Sequence, residues 1–507
     1  MKPIVINQFD GGMCEDIREP RTDTFSYASN FDTFSNRNRL SPYRTMESES
    51  VDSGVLTDFK ITDVCIMKDA TNTNIYGLGR AGVADENPKF FQKATAMDIT
   101  AAFQACSGGE DSSNSVIPGT LREYKTRLFA MKTDGSANTY VIAYNHVAAS
   151  IAAIGTIASY PVVPSSVAFP RPFRHPQDDK LYFGAGSVLA SYDNSSFTAN
   201  VGLVLPTDCY ITSLTDYGSY LCIFTAPTVG GGSSKLFLWD VGRALTTPQE
   251  VIDLGEGTVA VGENVNGILI AVMTNKTPTT NSLFNIKTKL SVKAYFGGTP
   301  IVLKEITTTS DVFTLPAFKS KNNNRLFFAC AASINGTSLN QIWVVSKNGD
   351  KWSVSPDRTV NNDTALTGNI NGFSLIGDYL WANFNSIGSL FRTRLTSATY
   401  PTSTYESLIN PGMPEGDWTM KKQLSTISVS KASSTGQLVL KYRVDSTGAY
   451  TTIATLTTGG KLVLKATNES TGTPFNSGYE YQFLVESTLG AELTELKYTY
   501  KEENELI

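Results

Sequence analysis

The strongest constraint on how this chain can fold is a short hairpin pattern that recurs along most of its length. A polar or small residue opens an aliphatic and aromatic strand, a turn reverses the chain, and a second apolar strand returns. The clearest copy runs from Ser219 (SYLCIFT) through Gly230 (GGGSS) to Lys235 (KLFLWD). Further copies start at Asn74, Arg127, Lys180, Gly267, Arg325 and Asp378, so that successive starts lie 53, 53, 39, 48, 58 and 53 residues apart. One four-stranded propeller blade has a period of about 40 to 50 residues. The pattern therefore predicts an all-β chain whose residues 51–410 form a β-propeller of about seven blades. Plausible additional strands flank the hairpins, for instance Asp63 to Met67 and Val259 to Val261. An N-terminal extended docking arm (1–50) and a C-terminal β-sandwich (411–507) complete the expected division.

Composition supports this class. The chain has 507 residues, more than one hydrophobic core normally fills, so several units are expected. Hydrophobic residues make up 41% and charged residues 18%, a mixture that suits half-buried strands joined by small polar turns. Helical periodicity is almost absent, and its nearest candidate is Ala94 to Cys106. The net charge is -5, and Lys and Arg are nowhere concentrated. Tight nucleic-acid binding rests on neutralising phosphates, so a tight, static DNA or RNA binder is not expected, whereas transient passage of DNA is compatible. The six cysteines form no CxxC pair, and Cys222 and Cys330 fall inside apolar strands as small buried hydrophobes. The first residues, MKPIVINQFDGGM, lack a signal-peptide core, and no apolar run is long enough for a membrane span. Synthesis in the cytoplasm and no membrane insertion are the expectation.

Near Asn410 (NPGMPEG) two prolines break the chain, which reads as a linker. Beyond it, Leu438, Leu440, Tyr442 and Val444 share one strand face. Tyr479, Tyr481, Phe483 and Val485 repeat that alternation, as do Leu496, Tyr498 and Tyr500. With Ile427 to Val429 and Ile453 to Leu456, five or six antiparallel strands are expected, enough for a small sandwich.

Motifs for chemistry are weak. His146 and His175 are too few for a histidine metal site, and neither has a cysteine at zinc-ligand spacing. Gly77, Gly79 and Gly82 spell GxGxxG after a strand, but no helix can begin at Val83 to meet a pyrophosphate, so a blade turn is expected there. Ser346 to Trp352 is similar to a sialidase Asp-box, with Asn348 replacing the acid and Gly349 and Trp352 one residue early. Such boxes are structural turns. Trp239, Trp343 and Trp381 follow strand periodicity and are expected between blades, although exposed rings at Trp352 or Trp381 would suit a sugar face. No catalytic residue, cofactor, metal or small-molecule substrate is expected. Two acids meeting in space would make a glycosidase, and that alternative stays open.

Residues 1–50 do not carry the hairpin pattern. Phe9, Phe25, Tyr27, Phe31, Phe34 and Tyr43 recur in a segment too polar for a core of its own, so their rings must be buried against something else. Either the segment wraps the propeller or completes an outer strand, or it docks on a neighbouring subunit. The order Phe9-Asp-Gly11-Gly12-Met, Asp16, Asn30-Phe31-Asp32, then Leu40-Ser-Pro42-Tyr43-Arg44 resembles the opening of tailed-bacteriophage tail proteins of the nozzle and tail-stabilisation type. That resemblance implies a non-enzymatic structural component of the virion tail, assembling with copies of itself and other tail proteins around the DNA channel and driving no chemistry. It marks Phe9, Gly11, Gly12, Asn30, Phe31, Asp32, Tyr43 and Arg44 as subunit-docking residues. A receptor-binding tail protein that holds a host glycan is the rival expectation.

Overall fold

A computed structural model describes residues 3–9, 13, 21–33, 36–44, 46–48, 61–68, 73–80, 87–93, 103–135, 137–158, 161, 163, 169–229, 231–243, 245–275, 289–308, 317–320, 325–334, 337–348, 351–359, 370–376, 379–384, 387–393, 400, 402–413, 420–433, 435–445, 448–465 and 474–502. Among these the chain is all-β, built from many small antiparallel sheets. It divides into a larger unit, residues 47–340 and 364–393, and a smaller unit, residues 1–46, 341–363 and 394–507.

Seven sheets, I to VII, follow one another along the chain, and each expected hairpin forms the middle of one of them. Sheet I runs Asp63–Lys68, Thr73–Arg80, Pro88–Lys93, Gln104–Glu110. In sheet II, Ser115–Val116 and Arg122–Tyr124 both pair with Arg127–Thr133, followed by Asn138–Asn145 and Ser150–Ala158. Sheet III is Phe173–Arg174, Leu181–Ala185, Val188–Tyr192, Phe197–Thr198. Sheet IV is Cys209–Tyr217, Tyr220–Pro227, Ser233–Asp240, Glu250–Glu256. Sheet V is Thr258–Val265, Ile268–Thr274, Lys289–Tyr295, Ile301–Thr307. Sheet VI is Ala317–Ser320, Arg325–Ile334, Thr337–Asn348, Lys351–Thr359. Sheet VII is Ile370–Ile376, Tyr379–Phe384, Ile387–Thr393, and its fourth strand, Met46–Ser48, comes from near the start of the chain.

The period-2 geometry of a strand explains why the hairpins read as nearly unbroken apolar runs. Successive side chains point to opposite faces, and in sheets I to IV both faces are covered. In sheet II, Leu128, Ala130, Ile142 and Tyr144 enter a core shared with sheet I. Their neighbours Phe129, Met131, Val141 and Ala143 enter one shared with sheet III. Sheet IV divides in the same way, Leu221 and Ile223 packing with sheet III and Cys222 and Phe224 with sheet V. Close approach fixes some spacings: a Cβ on Gly262 would lie 2.3 Å from the Phe224 ring. Sheet VII packs on sheet I, with Trp381 and Leu390 sharing a core with Val64, Ile75 and Phe91.

In the smaller unit two five-stranded sheets share one core. One runs Ile4–Ile6, Leu493–Glu502, Lys422–Lys431, Gly460–Lys465, with Ser477–Gly478 also pairing Lys422–Lys431. The other runs Phe25–Ser29, Ser403–Ser407, Tyr481–Thr488, Gln437–Val444, Thr451–Leu456. Leu438, Leu440, Tyr442, Phe483, Val485, Leu496 and Tyr498 all enter the core, as the alternation anticipates, whereas Tyr479 is exposed. The strand number exceeds expectation because the N-terminal segment, Ser403–Ser407, Gly460–Lys465 and Ser477–Gly478 contribute strands.

Three local expectations change. Asn410 to Met413 is a packed turn and not a linker: Asn410 is buried, its Nδ2 donates to the Tyr479 carbonyl, its Oδ1 accepts the Tyr481 N–H, and Met413 lies in the core. Residues 414–416 lie outside the described residues. Gly77 and Gly79 form no turn; they sit within Thr73–Arg80, paired with Val64 and Lys89, and a Cβ on Gly77 would press on Ile61 at 3.0 Å. Gly82 lies outside the described residues. Of the helical candidate, Gln104 to Cys106 belong to a strand, and 94–102 lie outside the described residues.

Candidate assembly site

The N-terminal segment provides the outermost strand of both sheets of the smaller unit. Ile4–Ile6 pairs with Leu493–Glu502, and Phe25–Ser29 with Ser403–Ser407. Between and after them the motif residues act as fasteners. Asn30 has a left-handed backbone (φ 62), which asparagine tolerates better than most residues. Its Nδ2 donates to the Thr402 carbonyl at 3.2 Å, and its own carbonyl accepts from Ser403 Oγ (3.1 Å) and the Tyr43 N–H (2.9 Å). The reversal places Phe31 in the core and pairs Phe31–Asp32 with Ser41–Pro42. Phe9 meets Tyr405 edge-on, with centroids 5.4 Å apart. Leu40 exchanges backbone hydrogen bonds with Leu493, while Arg39 and Ser41 both reach Glu492.

Tyr43 anchors the segment to the Lys351–Thr359 strand. Its hydroxyl donates to Asp357 Oδ1 at 2.7 Å, and the Arg358 guanidinium lies 3.8 Å from the centre of its ring. Arg358 Nε also donates to Asp357 Oδ2 at 2.9 Å. Burial raises the Asp357 carboxyl above its ordinary range, opposed by Arg358 and reinforced by Asp32. The Tyr43 phenol is pushed well up by burial and then by Asp357. The Asp357 carboxyl group thus lies between the Tyr43 hydroxyl and the Arg358 guanidinium, which is itself stacked on the Tyr43 ring.

These contacts bear on the expected docking residues. Phe9, Asn30 and Phe31 are buried inside their own unit, so their side chains are engaged in building it. Asp32 and Tyr43 are half-buried and Arg44 is exposed. Gly11 and Gly12 lie outside the described residues.

A second cluster was not anticipated. Asp63, buried at the start of sheet I, accepts the Leu121 N–H of sheet II (2.9 Å), Arg171 Nη2 just ahead of sheet III (2.6 Å) and Ser374 Oγ of sheet VII (3.3 Å). Ser374 Oγ also accepts the Val64 N–H. Burial raises the Asp63 carboxyl, with Arg171 opposing. One signal was available: an acid opening a strand whose next four residues are apolar.

Other motif residues serve packing. His175 is buried edge-on to Tyr182, 3.4 Å from Asp178. Trp239 and Trp381 fill the cores between sheets III and IV and between VII and I. The Asp-box-like stretch spans a hairpin reversal, Lys347 facing Trp352 and Asn348 facing Lys351. Burial pushes the Cys106 and Cys209 thiols up to about 12, away from reactive thiolate chemistry. Among the described residues no helix is long and apolar enough to cross a membrane.

No family model matches this sequence, and no curated protein matches it. Among solved structures, a chain of a crystal structure of the mitotic checkpoint complex is 11% identical, with a TM-score of 0.39, covering 70% of this chain and 95% of that one. The computationally designed Ika8 protein is likewise 11% identical at a TM-score of 0.39, covering 69% of this chain and 100% of that one. Neither likeness is close enough to bear on what this chain does.

Proposed function

We propose that this chain is a non-enzymatic structural component of a bacteriophage tail, of the nozzle or tail-stabilisation type. Copies of it assemble around the channel that DNA traverses and contact other tail proteins, which places it in the virion. Sheets I to VII are then the blades of a seven-bladed β-propeller, and the two-sheet unit is a β-sandwich. The blade arrangement is supported by the shared cores of sheets I to V and by the packing of sheet VII on sheet I.

The observation that carries the proposal is the use made of the N-terminal motif. The residues whose order resembles the tail-protein opening fix the segment along both sheets of the smaller unit. Phe9, Asn30 and Phe31 then hold the segment in place, while Asp32, Tyr43 and Arg44 keep surface to offer a neighbour. Density for virions of a phage encoding this chain tests the proposal. A ring of copies around the tail axis is the expected result; a location at fibre tips, or absence from the particle, would overturn it.

A further inference from the structure

A charge held within a protein costs free energy unless an opposite charge or hydrogen-bonding groups meet it. Arg122, half-buried at the start of Arg122–Tyr124 in sheet II, has neither: its guanidinium makes no hydrogen bond or ion pair with any described residue. Arg171, Arg174 and Arg243, by contrast, each reach a carboxylate. Arginine stays charged at ordinary pH. Burial, and after it the like charge of Arg171, lowers the Arg122 guanidinium from its usual value, with Glu263 of sheet V opposing.

The position of Arg122 is fixed from both sides. The Leu121 N–H just before it donates to Asp63 Oδ2. Arg171 forks across the same region, its Nη2 donating to Asp63 Oδ1 and its Nε to the Gly119 carbonyl at 3.3 Å. Alternate residues of a strand share a face. Tyr124 enters the core between sheets II and III, so Arg122 lies on that face and Glu123 on the other. Arg171 comes immediately before Phe173–Arg174 of sheet III. Space beside the pair is open, since a Cβ added to Gly119 would meet no atom beyond its chain neighbours within 4 Å. The nearby acids are already engaged. Asp63 accepts with both carboxylate oxygens, and Glu263 Oε1 accepts from Thr215 Oγ1 (2.6 Å) and the Asn264 N–H (3.0 Å).

We propose that Arg122 and Arg171 together bind a small tetrahedral oxyanion, of the phosphate type, beside Gly119. A guanidinium offers a planar fork of donors that matches two oxygens of such an ion. The ion would supply the counter-charge that Arg122 lacks and stand between two like charges. Its size is limited because both arginines are partly buried, Arg171 keeping 27% of its side-chain surface exposed. Asp63 and Glu263 would also repel the further charges of a polyanion. The site belongs to the larger unit alone and does not depend on the tail assignment.

The test is isothermal titration calorimetry of the full chain with sodium phosphate, at an ionic strength held constant with sodium chloride. Wild type should show one saturable site. Arg122→Met should weaken it at least about tenfold, the loss expected for a hydrogen-bonded charge pair. Arg243→Met, which removes an arginine 73% exposed and paired with Asp240, should leave it unchanged. Circular dichroism would show that both variants remain folded. If Arg122→Met misfolds, the wild type carries the test: phosphate should slow hydrogen exchange of the Gly119 to Tyr124 amides and leave those of Tyr220–Pro227 unaffected. Absence of a saturable site, equal affinity in Arg122→Met, equal losses in both variants, or uniform slowing of exchange would overturn the proposal.

Discussion

The larger and smaller units bury their apolar residues by different routes. In the larger unit one hairpin is repeated, and from sheet I to sheet V each shares a core with its neighbour along the chain. In the smaller unit the core is shared by stretches near opposite ends of the sequence: Ile6, Phe9 and Phe31 lie against Tyr405, Leu496 and Tyr498. The first route repeats a local instruction. The second depends on particular distant residues meeting, so single substitutions should act differently in the two units.

The largest expected effect is in the smaller unit. Phe31→Ala removes a fully buried ring, and such truncations cost about 3 to 5 kcal/mol. Hydrogen exchange should lose protection across both sheets of that unit while sheets II to V keep theirs; uniform loss would erase the distinction between the units. Asp63→Ala comes next. It takes one partner from Arg171, which keeps the Gly119 carbonyl, and removes an acceptor shared by sheets I, II and VII, at about 3 kcal/mol. Denaturant unfolding measures the loss, and a change under about 0.5 kcal/mol would mean the cluster joins nothing, since substitutions away from key features stay in that range.

Gly262→Ala should cost about 1 to 3 kcal/mol through overpacking against Phe224, read from the same unfolding curves as the loss between sheets IV and V. Tyr43→Phe should cost about 1 to 2 kcal/mol, since Asp357 loses a donor in a buried site while the ring stays beneath Arg358. The smallest effect is a pH dependence. Because the folded Asp63 carboxyl is raised, the folded state holds its proton to higher pH than the unfolded chain does. Its contribution is therefore fullest below the unfolded value, near 4, and declines as pH rises through the folded one. The stability of wild type relative to Asp63→Asn should fall from about pH 4 upward and then level off; a rise over that interval would reverse the assignment.

The hairpins of sheets I to IV were legible because their strands are covered on both faces, which leaves an apolar signature such as RLFAMK that no solvent face interrupts. All seven expected starts fall in or immediately beside a central strand. Outer strands were harder to read. Their charges and bulges, as in Glu250–Glu256, obscure the alternation. The aromatic rings near the N-terminus showed that burial was required, but nothing near Phe9 or Phe31 in sequence names Tyr405 or Tyr498 as company. Asn410 shows the same limit: Pro and Gly beside it signal a break, and only the distant Tyr479 to Tyr481 backbone makes it a buried turn.

The most telling contact in the larger unit is the packing of sheet VII on sheet I, which the proposed propeller requires. A density map of the purified chain is the most direct measurement. The account predicts Ile370–Ile376 beside Asp63–Lys68, with Ser374 hydrogen-bonded to Asp63. Finding those two strands at opposite ends of a linear stack would contradict it.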